Sequence, residues 1–547
     1  MPNRGERTAA DLAIVGARIR TLDPARPFAS AVAVRDGEIV AVGDDATVRE
    51  RCDARTELVD GRGIALVPGL ADAHLHPVWG AELAVGADLN GIRTLDGVRA
   101  ALRAEAARTP EGEWIRGWGL DYAVFDGIAI EGRLFEEAVG ERPALLLFYD
   151  LHTAVATRAA LAAAGIDGAR AFEDASEVVV DADGRPTGAL NEPSAYRLAL
   201  GALESATPDG QRRQVGDVLR RLNALGLTGG HAMDGTPETF ALLRALEDAG
   251  TLSLRLVAPL WQQPDVSDEQ IAAQLPLRDE RGRRWRGGIA KLFIDGVIDT
   301  GTAWLYAPDA AGAGTTPFWP DPARYREVVA RFAGAGFQCV THAVGDRAVG
   351  EVLDAYAAAT AAGARTANGA PHRVEHLETL TDADVRRVAA GGVVASMQPL
   401  HMQWRAGDGS DEWTRRLGTE RAARAFRTRD LLDAGAQVAL GSDWPVASVD
   451  PRVGMAWARL RRTPGVPDAP VFEPNQTLTA EEALLGYTTW AAAAIGEQAR
   501  QGRIAEGFAA DLTGFAEDPV ATSADALVDL PVRLTVVDGE VVHRAID

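Results

Sequence analysis

The second half of the chain repeats one pattern of polar and apolar positions. A charged amphipathic segment ends in glycine and is followed by a short apolar run, as in "RYREVVARFAGAG" before "FQCVTHAVGD" and "DADVRRVAAG" before "GVVASMQP". Glycine is typical of the position just after a helix, and an uninterrupted apolar run is typical of a strand buried on both faces. The pattern therefore predicts consecutive helix–strand units with a parallel sheet.

Eight segments carry the strand pattern, and eight parallel strands close a (β/α)8 barrel. They are "GIALVPGLADAHLHP", "LTGGHAMD", "TLSLRLVAPLW", "GIAKLFIDG", "FQCVTHAVGD", "PHRVEHLE", "GVVASMQP" and "QVALGSDWP". An open, doubly wound sheet is the alternative, but it gives no reason for polar residues to gather at the ends of all eight strands. We therefore predict an α/β protein built on a TIM-type barrel.

The remaining segments predict two additions to the barrel. Residues 1–66 and 500–547 contain short alternating strands, so we expect both termini to form one small β-sandwich domain beside a barrel at 67–499. About 150 residues separate the first two barrel strands, whereas an ordinary connection has about 2 to 6 residues. We expect an inserted subdomain at about 80–220, following the first barrel strand.

Charge and cysteine content narrow the function. The formal net charge of -22 disfavours nucleic acids and anionic membranes as partners, because both require clustered positive charge. The sequence shows neither a secretory leader nor a stretch of about 18 to 20 uncharged residues that could span a membrane. We expect a cytoplasmic protein with a small-molecule substrate, and a homodimer remains open. Two cysteines leave histidine and carboxylate as the metal ligands.

Candidate metal ligands stand at the ends of predicted strands. His74 and His76 lie two residues apart in an extended run, so both imidazoles point to one side, where they could hold a divalent metal. Two histidines satisfied by local hydrogen bonds are the alternative for this pair alone. Four more polar residues end, or nearly end, later strands: Lys291, His342, His376 and Asp443. These six residues converge only if the barrel closes.

The motifs resemble those of the amidohydrolase superfamily, and specifically amidohydrolase family 3, the branch that includes N-substituted formamide deformylases. The resemblance is carried by "VPGLADAHLHP", "GLTGGHAMD", "KLFIDG", "THAVGDRAV", "RVEHLE", "SMQP", "LGSDWPV" and "GRIAEGFAADL", which extend from residue 67 to residue 512. It implies that five residues are metal ligands: His74, His76, His342, His376 and Asp443. It also implies that Lys291 is the residue that many members of the superfamily carboxylate.

Lys291 is the only lysine among 56 basic residues. A neutral lysine amine can add carbon dioxide, and the two oxygens of the resulting carbamate can bridge two cations about 3.5 to 4 Å apart. Arginine cannot do this because its guanidinium stays protonated. We hypothesise that Lys291 is kept for this covalent use; survival by chance is the alternative.

The ligand set and the resemblance together predict a reaction. One or two divalent ions, with zinc favoured, would lower the pKa of a bound water from about 15.7 towards 7 and supply hydroxide. Asp443 would take a proton during attack and return it to the leaving amine. We expect hydrolysis of the C–N bond of an amide or N-substituted formamide. A mononuclear deaminase and a non-catalytic barrel homologue are the alternatives.

Aromatic and polar residues in the insertion and near strand ends are candidates for substrate binding. Aromatic side chains are also ordinary core material, and each histidine alone could be a structural residue with satisfied hydrogen bonds. The candidates are Trp79, Trp118, Tyr122, His152, His231, Asp295, Trp304, Gln398, His401 and Trp444.

Overall fold

A computed structural model describes residues 9–125, 127–172, 176–203 and 207–545. Its strands are β1 Leu12–Val15, β2 Arg18–Arg20, β3 Phe28–Ala29, β4 Ala31–Arg35, β5 Glu38–Gly43, β6 Glu57–Asp60, β7 Ala65–Pro68, β8 Leu70–Leu75, β9 Ala87–Asp88, β10 Ile115–Leu120, β11 Ala144–Phe148, β12 Thr153–Ala156, β13 Glu177–Val180, β14 Pro186–Asn191, β15 Leu227–Ala232, β16 Arg255–Trp261, β17 Trp285–Phe293, β18 Gln338–Ala343, β19 Arg373–His376, β20 Val394–Met397, β21 Gln437–Leu440, β22 Leu512–Phe515, β23 Val532–Val537 and β24 Glu540–Arg544.

The α-helices are α1 Asp45–Arg49, α2 Pro77–Leu83, α3 Leu95–Arg108, α4 Arg133–Val139, α5 Arg158–Ala163, α6 Pro193–Leu200, α7 Pro208–Ala224, α8 Pro237–Asp248, α9 Asp268–Gln274, α10 Pro322–Gly334, α11 Asp346–Ala361, α12 Asp382–Ala390, α13 Glu412–Ala422, α14 Thr428–Asp433, α15 Pro451–Leu460, α16 Ala480–Gly486, α17 Thr489–Ala494 and α18 Ala524–Leu527. Short 3₁₀ helices span Tyr122–Phe125, Leu275–Asp279, Pro399–Trp404 and Pro474–Gln476. Within the described ranges, no helix has both the length and the hydropathy needed to cross a bilayer.

The predicted barrel is confirmed. Strand β8 and strands β15 to β21 form one eight-stranded sheet in chain order, and all neighbouring pairs in it are parallel. The segment after β21 returns to β8: the backbone N–H of Asp443 donates to the carbonyl of His74 (2.7 Å), and that of His76 donates to the carbonyl of Trp444 (2.8 Å). These bonds join the first and last strands, so all strand ends face one mouth.

Glycines after the helices turn the chain back into the barrel. Gly226, Gly250 and Gly336 follow the C-terminal caps of α7, α8 and α10, with φ between +67° and +90°. A left-handed backbone costs other residues about 1 kcal/mol or more, which is why glycine stands there. The helix–glycine–strand pattern in the sequence thus corresponds to a turn that reverses the direction of the chain between helix and strand.

The terminal segments form two sheets with a shared core. Their strand orders are β5-β4-β1-β6 and β24-β23-β22-β7-β2-β3. Leu12 and Ile14 of β1 pack with Leu534 and Val536 of β23 between the sheets. The alternate residue of β1, Ala13, packs instead in the cluster that contains residues of α1. This two-residue alternation gives the predicted β-sandwich its two faces.

The insertion forms a six-stranded sheet of order β13-β14-β12-β11-β10-β9. Helices α3 and α4 contribute to the apolar cluster on one face, and α5 and α6 contribute to the cluster on the other. Strand β12 begins just after His152, and β14 ends just before Glu192. The sheet therefore places these two residues side by side at its end.

Candidate active site

Four of the predicted metal ligands converge at the mouth of the barrel. His74 lies in β8 and His76 directly after it, His376 is the last residue of β19, and Asp443 follows β21; all four are buried. His376 and Asp443 have φ of +73° and +61°. Non-glycine residues in this region are strained and occur preferentially at functional sites, and here the turn takes both side chains out of the alternation of their strands.

Both carboxylate oxygens of Asp443 face imidazole nitrogens. Its Oδ1 lies 3.1 Å from Nε2 of His76 and 3.2 Å from Nε2 of His74. Its Oδ2 lies 3.5 Å from Nε2 of His401 and 3.9 Å from Nδ1 of His376. The donor atoms form two groups of three, each within 4.8 Å, and Asp443 belongs to both. Nitrogen and oxygen donors in this arrangement fit divalent metal ions.

Outer partners fix which imidazole nitrogen is free. Nδ1 of His74 donates to Oε2 of Glu375 (2.6 Å), which leaves Nε2 towards Asp443. Nε2 of His342 donates to the carbonyl of Gly296 (3.1 Å), and its ring centroid lies 4.4 Å from that of His376. Metal-binding histidines usually donate their second nitrogen to a carboxylate or carbonyl in this way. His342 borders the two donor groups without belonging to either.

The charge states of Asp443 and His76 suit metal binding. Burial raises the pKa of the Asp443 carboxyl, but His74 and the other imidazoles outweigh burial and hold that pKa well below its usual range. Burial lowers the pKa of His76 to about 4, against an opposing effect of Asp443. An ionised carboxylate and a neutral imidazole are the forms that ligate metals.

Lys291 lies inside β17, beside this cluster but outside both donor groups. Among the described residues its Nζ has no hydrogen-bond partner, and it is 4.6 Å from the ring centroid of Phe293 and 5.9 Å from that of Trp261. Burial lowers its pKa to about 8, although Glu375 and Asp443 oppose that shift. A larger share of neutral amine is thus present near neutral pH than in an exposed lysine.

A cavity of about 420 Å³ lies above the cluster. Residues from the barrel loops and from the insertion line it, and ten of them are tryptophan, tyrosine or phenylalanine: Trp79, Tyr149, Phe172, Tyr196, Trp261, Phe293, Phe318, Trp404, Trp413 and Phe426. Three of the predicted substrate-binding residues line it, namely Trp79, His152 and His401. His401 does so while also offering a nitrogen to the second donor group.

The other predicted substrate-binding residues lie behind the cavity wall. Those outside the lining are Trp118, Tyr122, His231, Asp295, Trp304, Gln398 and Trp444. His231 accepts a hydrogen bond from Arg373 (2.9 Å) deeper in the barrel. Asp295 accepts backbone N–H bonds from Trp304, Val344 and Gly345, so it holds loops together.

The remaining members of this group pack or bond away from the substrate space. Trp304 and Trp444 belong to the barrel core, and Trp118 packs against a core of the insertion. Tyr122 donates to Asp150 (2.9 Å), which is itself a lining residue. Gln398 is buried just after β20.

Several charged residues of the site had not been singled out from the sequence. Glu375 holds His74, and Glu192 holds His152; Asp299 and Glu378 line the cavity. A signal for Glu375 was available, because a carboxylate inside the predicted barrel strand "RVEH" needs a buried partner. Glu192 had no such signal, because its position depends on how the insertion folds.

A closed parallel barrel with histidine and aspartate donors at its strand ends defines the class of barrel metal-dependent hydrolases. The sequence profile of the amidohydrolase family matches residues 57–543, and the chain belongs to this family.

Relatives match over nearly the whole length. The putative amidohydrolase YtcJ of Bacillus subtilis (strain 168) is 28% identical to this chain. The alignment covers 94% of this chain and 96% of YtcJ. The N-substituted formamide deformylase of Arthrobacter pascens is 29% identical, with 97% of each chain covered. A solved structure of an uncharacterised metal-dependent hydrolase from Pyrococcus horikoshii OT3 superposes with a TM-score of 0.73 at 22% identity, covering 94% of this chain and 99% of the other.

Proposed function

We propose that this protein is a metal-dependent hydrolase of the C–N bond in small amides, with N-substituted formamides as the favoured class. The observation that carries the proposal is the Asp443 carboxylate, whose two oxygens face two groups of imidazoles at the floor of an aromatic cavity. The name of the relative from Arthrobacter pascens supports the formamide class.

The metal would be held by His74, His76, His342, His376 and Asp443, with His401 of the second donor group as a further donor. A divalent ion, for which this donor set favours zinc, would supply Lewis acidity and a water of lowered pKa. Asp443 would accept a proton on a carboxylate oxygen and return it to the leaving nitrogen. Glu375 would keep Nε2 of His74 directed at the site by holding its Nδ1.

Lys291 would serve as a carbamate in this proposal. Its buried Nζ lacks a hydrogen-bond partner among the described residues, and burial lowers its pKa to about 8, so the neutral amine needed to add carbon dioxide is available. The resulting carboxylate would add oxygen donors beside the two imidazole groups. Arginine at this position could not supply it.

The cavity would select for an apolar N-substituent. Ten aromatic side chains line its wall, and large aromatic side chains gain free energy from burying apolar surface against a substrate. Tyr149 and Leu151 from the insertion line this space, and the Tyr149 ring stacks on that of Trp404 with centroids 4.2 Å apart, so the insertion would set substrate preference. A benzyl or alkyl group on nitrogen fits such a wall.

Metal content and amine release test the proposal together. We expect purified protein to hold one to two equivalents of zinc or a similar ion, and to release amine from N-benzylformamide. Chelation should abolish turnover, and added zinc should restore it. Protein without tightly bound metal, whose activity a chelator leaves unchanged, would contradict the proposal. Release of ammonia from amino-substituted heterocycles, with no release of amine from any formamide or amide, would favour the deaminase alternative.

A further inference from the structure

The insertion delivers one histidine to the cavity in a fixed position. The backbone N–H of His152 donates to Oδ1 of Asp150 (3.0 Å), and its carbonyl accepts from the N–H of Glu192 (2.6 Å). Its ring is held as well, because Nδ1 donates to Oε2 of Glu192 (2.8 Å). Leu151 and Glu192 have φ of +57° and +64°. Two strained residues and three hydrogen bonds thus fix one imidazole.

This imidazole faces the same space as the candidate metal ligands. His152 and Asp443 both line the cavity, and the His152 ring centroid is 6.0 Å from that of His342 and 6.4 Å from that of Phe293. Since Glu192 takes Nδ1, Nε2 is the nitrogen left for a ligand. His152 and Glu192 both line the cavity, a position that an ion pair with a purely structural role does not require.

The electrostatic surroundings favour a charged donor. Burial lowers the pKa of His152, but the Glu192 carboxylate and Asp150 outweigh burial and raise it to about 9. With Nδ1 bonded to the Glu192 carboxylate at 2.8 Å, the ring can hold a proton on Nε2 as well, because the carboxylate stabilises the imidazolium form. Hydrogen bonds from a charged donor are shorter and roughly twice as strong as neutral ones.

We infer that His152 is a second catalytic group, supplied by the insertion, whose Nε2–H donates a hydrogen bond to the acyl oxygen of the substrate as that oxygen gains negative charge. Glu192 is its positioning residue. The inference rests on the proposed amide hydrolysis and adds to it the group that stabilises the oxygen. A preorganised donor of this kind contributes about 10²- to 10³-fold to kcat in other acyl-transfer enzymes.

Two amide substitutions separate the two ring nitrogens. His152→Asn keeps a donor near the position of Nδ1 and loses the one at Nε2, whereas His152→Gln places its amide near Nε2. We expect His152→Asn to lower kcat on an N-substituted formamide about 10²- to 10³-fold, and His152→Gln to recover at least about 10-fold of that loss. Metal content should match that of the wild type in both variants, and His543→Asn, in the terminal β domain, serves as the unaffected control.

The matching thioformamide tests the hydrogen bond itself, because sulfur is a poor acceptor. If Nε2 binds the acyl oxygen, His152→Asn should lower turnover of the thioformamide less than about 10-fold. Glu192→Gln should lower kcat on the formamide with little change in KM, and it should add almost nothing to His152→Asn, since it acts through that ring.

Equal losses on the oxygen and sulfur substrates, or no loss on either, would overturn the inference while the wild-type protein still hydrolyses formamides. So would a loss of bound metal from His152→Asn that accounts for its lost activity. If metal-loaded wild-type protein turned over no formamide or amide at all, that result would contradict the proposed function and, with it, this inference.

Discussion

Arg373 and Lys291 are both completely buried cations inside the barrel, yet their surroundings are opposite. The guanidinium of Arg373 donates to Glu375 (3.0 Å), to His231 (2.9 Å), to the carbonyl of Ala73 and to Ser396. The ammonium of Lys291 has no hydrogen-bond partner among the described residues and lies against aromatic rings. The surroundings of Arg373 supply hydrogen bonds to its guanidinium, and those of Lys291 supply none to its ammonium among the described residues.

The contrast separates residues that hold the fold from residues that the chemistry requires. A buried charge with every donor satisfied strengthens a unique arrangement, whereas a buried amine without partners costs stability. Such a cost persists where the group has another use. Glu375 accepts from Arg373 and orients His74. The hydrogen bonds of Arg373 therefore serve as a rigid support of the candidate metal site.

The largest effect is expected from replacing Lys291 with arginine, which stands at every other Lys or Arg position of the chain. Lys291→Arg would hold a fixed positive charge beside the metal ligands and could not form a carbamate, so bound metal and turnover should both fall, turnover by at least about 10³-fold. Metal analysis and amine release measure the two losses.

Lys291→Ala is the matched variant, because it leaves space in place of the charge. Added formate or acetate should restore part of the metal content and activity of Lys291→Ala, but none of that of Lys291→Arg. An arginine variant with wild-type metal and turnover would refute the carbamate and leave the solitary lysine as an accident of composition.

Asp443→Asn should be the next most damaging change. An amide cannot shuttle the proton, so kcat should fall about 10²- to 10⁴-fold. The four imidazoles remain, and at least one equivalent of metal should stay bound. Turnover is to be compared with that of His543→Asn at equal metal loading. Near-normal kcat in a metal-loaded Asp443→Asn protein would move the proton-transfer role to another residue.

The sequence predicted the framework well and the direction of individual side chains less well. All eight barrel strands could be identified because most of them are apolar runs, and a glycine or a polar strand end marks their boundaries. Residues next to strand ends were harder to assign: Trp304 and Trp444 turn into the core, whereas His401 comes to the donor group on a 3₁₀ helix. A strand end fixes the position of a residue but not the rotation of the loop that follows.

The role of each polar residue depended on contacts between distant segments. His231 was placed correctly on its strand, but Arg373, from another strand, holds it below the cavity. The pairing of His152 with Glu192 required the order of strands β12 and β14 in the insertion. The roles assigned to the metal-site residues stay predictions until metal and activity are measured.

The two buried cations should respond oppositely to the same substitution in metal-free protein. Arg373→Met would leave Glu375 buried without its cation and lower the free energy of unfolding by about 3 to 5 kcal/mol. Lys291→Met removes an unpaired amine and should raise the free energy of unfolding by about 1 to 3 kcal/mol. Thermal midpoints at one fixed scan rate measure both directions. Destabilisation by Lys291→Met would show that Lys291 also supports the fold.

The smallest effect is expected for an Arg–Glu pair outside the barrel, which provides the reference for the buried one. Arg429 binds both oxygens of Glu482 (2.9 and 2.6 Å), and this pair, together with the bond from the Thr479 N–H, lowers the pKa of Glu482 from 4.5 to about 2, although partial burial opposes the shift. The pair is partly exposed to solvent, so Glu482→Gln should lower the free energy of unfolding by only about 0.2 to 1 kcal/mol at pH 7.

Because the pKa of Glu482 is depressed in the folded protein, this contribution to stability is present above pH 4.5 and is lost as the pH falls towards 2. Denaturant midpoints of wild type and variant should therefore converge as the pH falls from 4.5 to about 2. A cost as large as that of Arg373→Met, or one that stays constant with pH, would mean that burial is not what distinguishes the two pairs.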